Sequence, residues 1–437
     1  MRETFRETFS ATEIAISRPA ESESRKRKNR GPNGQGTGYR MVREGRMLFR
    51  RSMDKERLGR VFGTALVRGA AGAATALVMA ATATGMTTGT AVSAEAFTPR
   101  PQSGISGALL PSERKLWTFD ASTGKYVEAP GDASGQYVPN LRKPAKPLTF
   151  AFAEGWAAIP FSVSINKGIY RIAKDLGINI IYCDQEFKPE KAVTCAEQLS
   201  QQKPDFAIVS NWQSGAAEAI MKIYGAAKIP VVNIDVWHPN GIFFGADNYV
   251  SGEIGGKAAG EYAKSLNKCG EVTIFNGINP GEGDAAAQRM AGFTDGVQEI
   301  CGAIPEDRIK TEIFDAGTTE QALTKSTDWL TANPQASFVL STSIDDARAA
   351  GVAKALAQNG RDGAAVALGC DEIGVAATKE GDPGKTKFLG CVAYFPEKYP
   401  DYVMSLGLDV LEGKPVPNEV HIEHKFLDKN SISSVYP

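Results

Sequence analysis

An α/β fold of two lobes, each a parallel sheet flanked by helices, is what this sequence predicts from residue 147 onward, and three observations carry the prediction. Short apolar runs alternate with helical apolar stripes, the pattern of repeated βα units. Ten such runs are too many for one small sheet, and they divide about Asn248, five before it and five after. The chain has 437 residues, 42% hydrophobic and 23% charged, which admits two domains and excludes a disordered or collagen-like protein.

Ahead of the lobes, residues 69–94 carry no charge and are rich in Ala, Gly and Thr. Arg57, Arg60 and Arg68 precede this stretch, and Val92 and Ala94 stand at the minus-3 and minus-1 positions of a cut after Ala94. A basic flank, a short apolar run and small residues at the cut describe a secretory signal peptide. A membrane anchor fits less well, because Gly and Thr interrupt the ~20 apolar residues that a span needs. Met41, Met47 and Met53 are each candidate starts; with Met53 the signal has ordinary length and residues 1–52, with their Arg25-Lys26-Arg27-Lys28 cluster, fall upstream. Arg50-Arg51 hints at twin-arginine export, although Ser52-Met53-Asp54 match that pattern poorly. No Cys follows the apolar run, so a lipid anchor is excluded and residues 95–437 are expected in the periplasm as a soluble chain.

Charge is unevenly placed. Residues 1–68 hold 17 Lys+Arg against 8 Asp+Glu, and residues 95–437 hold 32 against 42. An acidic body argues against a nucleic-acid partner, since phosphate binding draws its affinity from Lys and Arg. The six cysteines, at 183, 195, 269, 301, 370 and 391, all follow the cut, as disulfides in an exported chain would. Fifteen connectivities are open. Sequence neighbours are favoured, Cys183 with Cys195, Cys269 with Cys301 and Cys370 with Cys391, because one helix or strand separates each pair.

Residues 95–146 are rich in Pro, Gly, Ser and Lys and read as a spacer arm, with Leu116-Trp117-Thr118-Phe119 as a short strand. Strands are then expected over 148–153, 178–183, 206–210, 231–235 and 242–246, followed by 272–275, 309–314, 338–342, 365–369 and 388–393. Between them, Phe161, Ile165, Ile169, Ile172 and Leu176 recur at helical spacing, and further stripes run over 192–199, 216–224, 254–266, 290–300, 323–330, 349–356 and 402–411.

Ligands of open parallel sheets bind beyond the carboxyl ends of the strands. The residues there are Trp156, Pro160 and Phe161 after the first strand, Asn211, Trp212 and Gln213 after the third, and Asp235, Trp237 and His238 after the fourth. The second half adds Asn276 and the segment reaching Arg289, then Asp345 and Asp346, Asp371, and Tyr394. Carboxylates, a guanidinium, amides and aromatics together suit a neutral polyhydroxylated ligand, whose hydroxyls take charge-assisted hydrogen bonds while ring faces cover its C–H surface. Taken singly, Asp346 or Asp371 is as readily a helix cap, a Trp is more often packing, and Arg289 could pair with a surface carboxylate.

Pro160-Phe161 with Gly168 and Leu176-Gly177, Pro230-Val231-Val232-Asn233-Ile234-Asp235, Ala246-Asp247-Asn248 with Gly252, Gly255 and Ala258, and Arg289 with Gly292-Phe293 resemble, in order and spacing, the type I periplasmic sugar-binding proteins, the ribose-binding-protein-like receptors of ABC transporters. The resemblance covers residues 147 to about 430. It implies two doubly wound parallel-sheet lobes joined by a three-segment hinge, with crossovers near Asp247, near Tyr394 and Phe395, and near residue 425. The N-terminal lobe is then 147–247 plus 395–424, and the C-terminal lobe 248–394 plus 425–437. It further implies a monomer without cofactor that closes on a small neutral sugar or polyol and presents it to an ABC permease at the inner membrane. By position, Phe161 stacks on the ligand, Asp235 and Asp371 accept its hydroxyls, Arg289 binds an oxygen, and Asp345 and Tyr394 complete the pocket. Where ribose-binding members carry a second aromatic after Pro-Phe this chain has Ser162, and where they carry Arg after the Asp it has Val236. An Asn becomes Asp345, a Gln becomes Tyr394, and a ring-contacting Phe aligns with Gly317. These changes point away from ribose itself, with Trp156, Trp212 and Trp237 as replacement aromatic cover.

Other classes fit less well. Gly252-Glu253-Ile254-Gly255-Gly256-Lys257 is one residue short of a phosphate loop and has Ala258 where a metal-binding hydroxyl is needed, so it reads as a closely packed helix start. His421-Ile422-Glu423-His424 lacks the spacing of a zinc helix, and three His in all are too few for metal catalysis. Asp345 with Asp371 is in principle a glycosidase pair, without further support. A sugar-responsive transcription regulator would need a DNA-binding module where the leader and arm stand. A receptor reporting to a chemotaxis or sensor-kinase partner remains the alternative to transport.

Overall fold

The computed structural model describes residues 109–437. The leader, the cut after Ala94, the alternative starts, Arg50-Arg51 and residues 95–108 of the arm lie outside the described residues. The chain opens with β1 (Leu116–Asp120) and β2 (Lys125–Ala129). The first lobe follows with β3 (Leu148–Glu154), α1 (Pro160–Leu176), β4 (Ile178–Asp184), α2 (Pro189–Gln201), β5 (Phe206–Val209), α3 (Ala217–Ala226), β6 (Val231–Ile234) and β7 (Ile242–Gly245). The second lobe begins with α4 (Asn248–Ser265), β8 (Val272–Ile278), α5 (Asp284–Cys301), β9 (Ile309–Ile313) and α6 (Thr319–Ala332). It continues through β10 (Phe338–Ser343), α7 (Asp346–Gln358), β11 (Asp362–Gly369), α8 (Glu372–Glu380) and β12 (Phe388–Ala393). The chain returns to the first lobe for α9 (Tyr399–Leu411), β13 (Val416–Pro417) and β14 (Glu419–His421), and ends on the second with β15 (Lys425–Leu427) and α10 (Ile432–Val435).

Both lobes are sheets of six strands with helices packed on them, the architecture the alternating pattern predicts. The first runs β14-β7-β6-β5-β3-β4, parallel throughout; the second runs β15-β12-β11-β10-β8-β9, with only β15 antiparallel. The ten expected strands form, and each sheet gains one edge strand from the tail, too short to carry a periodic signal. Strands such as β3 are buried nearly throughout, as in a parallel sheet covered on both faces. Helix α1 shows why the local sequence folds as it does. Pro160 sits at its first position, Ile165, Ile169 and Ile172 face the core, and Gly177 ends it in the left-handed region at φ 73°. Helix α8 escaped the sequence reading because only Gly374 and Thr378 of its nine residues are buried, so it has no apolar stripe.

The phosphate-loop look-alike lies inside α4, where small residues serve packing. A Cβ on Gly252 would come within 2.1 Å of the Arg289 carbonyl oxygen, and one on Gly292 within 2.1 Å of that of Tyr249. The resulting close contact of α4 with α5 sets the height of Arg289. The cysteines pair in sequence order. Cys183–Cys195 ties β4 to α2, Cys269–Cys301 ties the turn before β8 to the end of α5, and Cys370–Cys391 ties the end of β11 to β12.

The arm is corrected. From residue 109 it is a packed element and not a spacer: β1 pairs with β2 and, on its other side, with β13. The Tyr126 hydroxyl donates to the Val231 carbonyl at 3.2 Å, and the Tyr137 hydroxyl donates to the Asp409 carboxylate at 2.6 Å. Arg142 reaches Asp409 and Glu412 of the α9 region, each at 2.8 Å. The sequence signal was missed because β2 is largely exposed and, β1 apart, the groups that hold the hairpin lie about a hundred or more residues away.

Candidate functional site

A cavity of about 310 Å³ lies between the lobes, at the carboxyl ends of both sheets. The sequence-derived residues Trp156, Phe161, Trp212, Asp235, Arg289, Asp345, Asp371 and Tyr394 all line it. Trp237 does not: it is 47% exposed and borders a neighbouring opening with Ser214, Asn248 and Asp284, which shares Asp235 with the cavity. The turn after β6 swings it outward, and His238 goes inward instead to hydrogen-bond Asn211 at 2.9 Å.

From the first lobe comes an aromatic wall. Trp156 stacks on Phe187 with ring centroids 5.7 Å apart, and Phe187 meets Trp212 edge-on at 6.3 Å. Phe161 packs edge-on to Tyr399 at 5.4 Å. Asp235 follows β6 with φ 61°, and its Oδ1 accepts from the Tyr399 hydroxyl at 2.8 Å and from the Ala246 amide at 3.2 Å. Burial pushes its carboxyl pKa up, and the charge of Arg289 across the cleft pulls it back.

From the second lobe come the charges. Arg289 Nε donates to Asn248 Oδ1 at 2.8 Å, Nη1 donates to the Ile344 carbonyl, and the guanidinium lies 5.1 Å from the centroid of the Tyr394 ring. Two of its nitrogens are thus held by the protein, and the side chain lines the cavity. Asp345 caps α7 by accepting from the Arg348 amide at 2.9 Å and also pairs with the Arg348 side chain. Asp371 caps α8, accepting from Ile373 and Gly374 amides at 2.8 and 3.2 Å. Asp346 accepts from the amides of Cys370 and Asp371, and burial beside Asp371 raises the pKa of both carboxyls. Asp371 is therefore both a helix cap and a lining residue of the cavity, whereas the cap of α7 is Asp345 and not Asp346, which is the first residue of that helix and accepts from the amides beyond β11 instead.

Phe187, Glu282 and Arg348 were missed. Phe187 stands beyond β4, and Arg348 is one helical turn past Asp345. Glu282 lies in the segment leading to Arg289. Burial raises its carboxyl pKa to about 7 against the opposing charges of Arg348 and Arg289. Gly317 explains the lost Phe: a Cβ there would lie 3.3 Å from Cζ3 of Trp156, so an indole from the opposite lobe covers that place. The lobes also touch directly, with Ser214 Oγ donating to the Gly281 carbonyl at 3.2 Å. Among the described residues no group of three His, Cys, Asp or Glu is placed to hold a metal ion.

Residues 150–415 match the family model described as a periplasmic binding protein domain. The ribose import binding protein of Salmonella typhimurium is 26% identical over 275 residues, covering 62% of this chain and 87% of that protein. The one from Bacillus subtilis is 26% identical over 290 residues, covering 64% and 89%. Among solved structures, an ABC transporter solute-binding protein from Mycobacterium smegmatis with bound glycerol superimposes with a TM-score of 0.57 at 22% identity, over 67% of this chain and 98% of that one. A carbohydrate transporter solute-binding protein from Agrobacterium radiobacter in complex with D-arabinose gives a TM-score of 0.57 at 21% identity, over 66% and 97%.

Proposed function

The chain belongs to the periplasmic binding protein domain family, and from that premise we propose that it is an exported receptor that captures a neutral sugar or polyol between its lobes and delivers it to an ABC permease. The observation that carries this reading is the placement of Asp235 and Arg289 on opposite lobes at one cavity, with aromatic rings beside them. A ligand touching both lobes binds the closed form better, and only such differential affinity can shift an open–closed equilibrium. Asp235, Glu282 and Asp371 accept ligand hydroxyls, Arg289 donates to a ligand oxygen, and Trp156, Phe161 and Trp212 cover the C–H faces. A short polyol fits the same donors, since Trp156 fills the space beside Gly317. The receptor works without catalysis: Asp345 and Asp371 spend acceptor capacity on helix amides, which holds both side chains in place.

The test is thermal unfolding of residues 95–437 against pentoses, hexoses and short polyols. A ligand at a hundred times its dissociation constant adds about 2.7 kcal/mol of stability. Arg289→Ala and Asp235→Ala should each weaken binding of that ligand by more than about 1 kcal/mol, because each leaves buried partners unpaired. Unchanged affinity in both variants would remove the site assignment; a shift only with acidic or phosphorylated compounds would remove the ligand class.

A further inference from the structure

Three stretches of chain pass between the lobes, from β7 into α4, from β12 to α9 and from β14 to β15. One side chain touches all three. His424, in the third, accepts at Nε2 from the Asp247 backbone amide at 3.0 Å, where the first passage enters α4. Its Nδ1 faces the Ala393 carbonyl at 3.4 Å, where the second passage leaves β12. An amide can only donate and a carbonyl can only accept, so both contacts together require a neutral imidazole protonated on Nδ1. Burial, helped by the neighbouring His421 and then by the charge of Arg289, holds the ring pKa down to about 3, in keeping with that form. The ring also packs on Tyr394 with centroids 4.9 Å apart. Tyr394 in turn lies under Arg289 and bonds Ser251 Oγ at 2.8 Å.

We propose that His424 is a positioning residue that pins the three interlobe passages together at their second-lobe ends and holds the Tyr394–Arg289 side of the pocket in register. All three attachment points adjoin elements of the second lobe: Asp247 is the cap of α4, Ala393 is the last residue of β12, and His424 immediately precedes β15. The turning of one lobe against the other then falls on the far side of the pin, in Ala246, between Phe395 and Lys398, and in Ile422 and Glu423. The inference rests on the receptor reading for its purpose, but its geometry is testable without any ligand.

The experiment measures the interlobe distance distribution in ligand-free protein by pulsed electron spin resonance, with nitroxides on Lys222→Cys in α3 and Lys354→Cys in α7, both exposed. His424→Phe keeps a ring against Tyr394 and loses both hydrogen bonds; His424→Gln can accept through Oε1 and donate through Nε2. The Phe variant should at least double the width of the distribution, and the Gln variant should restore the original width. Equal widths in wild type and His424→Phe, or a Gln variant as broad as Phe, would overturn the proposal. Should His424→Phe fail to fold, nitrogen-15 NMR of histidine-labelled wild type decides. A neutral Nδ1–H ring that does not titrate between about pH 5 and 8 supports the pin, and an Nε2–H tautomer or a titrating ring removes it. Failure of the receptor reading shows separately, as a sugar panel without effect on unfolding while these ligand-free results stand.

Discussion

Asp235 is held in the left-handed region at φ 61°, where its amide donates to the Phe244 carbonyl at 3.0 Å. Asp tolerates this conformation better than most residues, and the turn aims its carboxylate into the cleft. Room for that carboxylate comes from Gly245, where a Cβ would lie 2.4 Å from Asp235 Oδ1 and 2.8 Å from its Cα. Gly245→Ala must therefore displace Asp235, and a sugar titration of the folded variant should show affinity lower by about tenfold or more, or about 1.4 kcal/mol. Glu154 is buried at the end of β3. Its Oε1 accepts from Gly155 N–H at 2.9 Å and Ser162 Oγ at 3.0 Å, whereas Oε2 is buried without a partner. Burial raises its pKa to about 7 from the ordinary 4.5. The folded state thus holds a proton that the unfolded state has lost, so this group takes stability away as pH rises from the unfolded to the folded pKa. Glu154→Gln should match wild type in urea unfolding at low pH and exceed it above neutrality by on the order of 3 kcal/mol.

At the scale of elements, two attachments outside the βα repeats are measurable. The Cys183–Cys195 bridge closes a loop of sequence separation 12 at the outer edge of the first sheet. In the chain-entropy model so short a loop contributes about 3 kcal/mol, and the double Ser variant should lose about that much in denaturant unfolding while keeping its ligand. The β1–β2 hairpin is fastened by Tyr126, whose ring lies 5.2 Å from Phe119 and whose hydroxyl bonds the first residue of β6. Tyr126→Phe keeps the ring and removes that bond, which should cost about 1 kcal/mol by calorimetry, the ordinary net worth of one buried hydrogen bond. Its effect on sugar affinity should be nil, because Val231 is at the opposite end of β6 from Asp235.

For the whole molecule, the direct interlobe contacts, Ser214 with Gly281 and Trp156 beside Gly317, describe a closed arrangement. Small-angle scattering should show the radius of gyration falling when the sugar found by unfolding is added, and no fall in Arg289→Ala at the same concentration. Much of this was legible beforehand. The apolar period of each strand and helix is local, so Phe150, Ile169, Val232 or Phe338 declared their burial in the residues around them. The strand-end rule placed Asp235, Arg289, Asp345, Asp371 and Tyr394 because a parallel sheet sends every such residue to one edge. What the local pattern could not carry is anything decided by residues far apart in the chain. Whether Trp156 or Trp237 faces the cavity depends on how one turn meets the other lobe; the hairpin depends on β13 nearly three hundred residues later; His424 gains its role only where three distant passages converge. The sequence by itself determined the repeating βα core and the edge on which ligand groups gather, since those follow from periodicity and burial. The tertiary structure alone decided which of those groups meet across the cleft and what ties the lobes, since these depend on distances between chain segments that no period encodes.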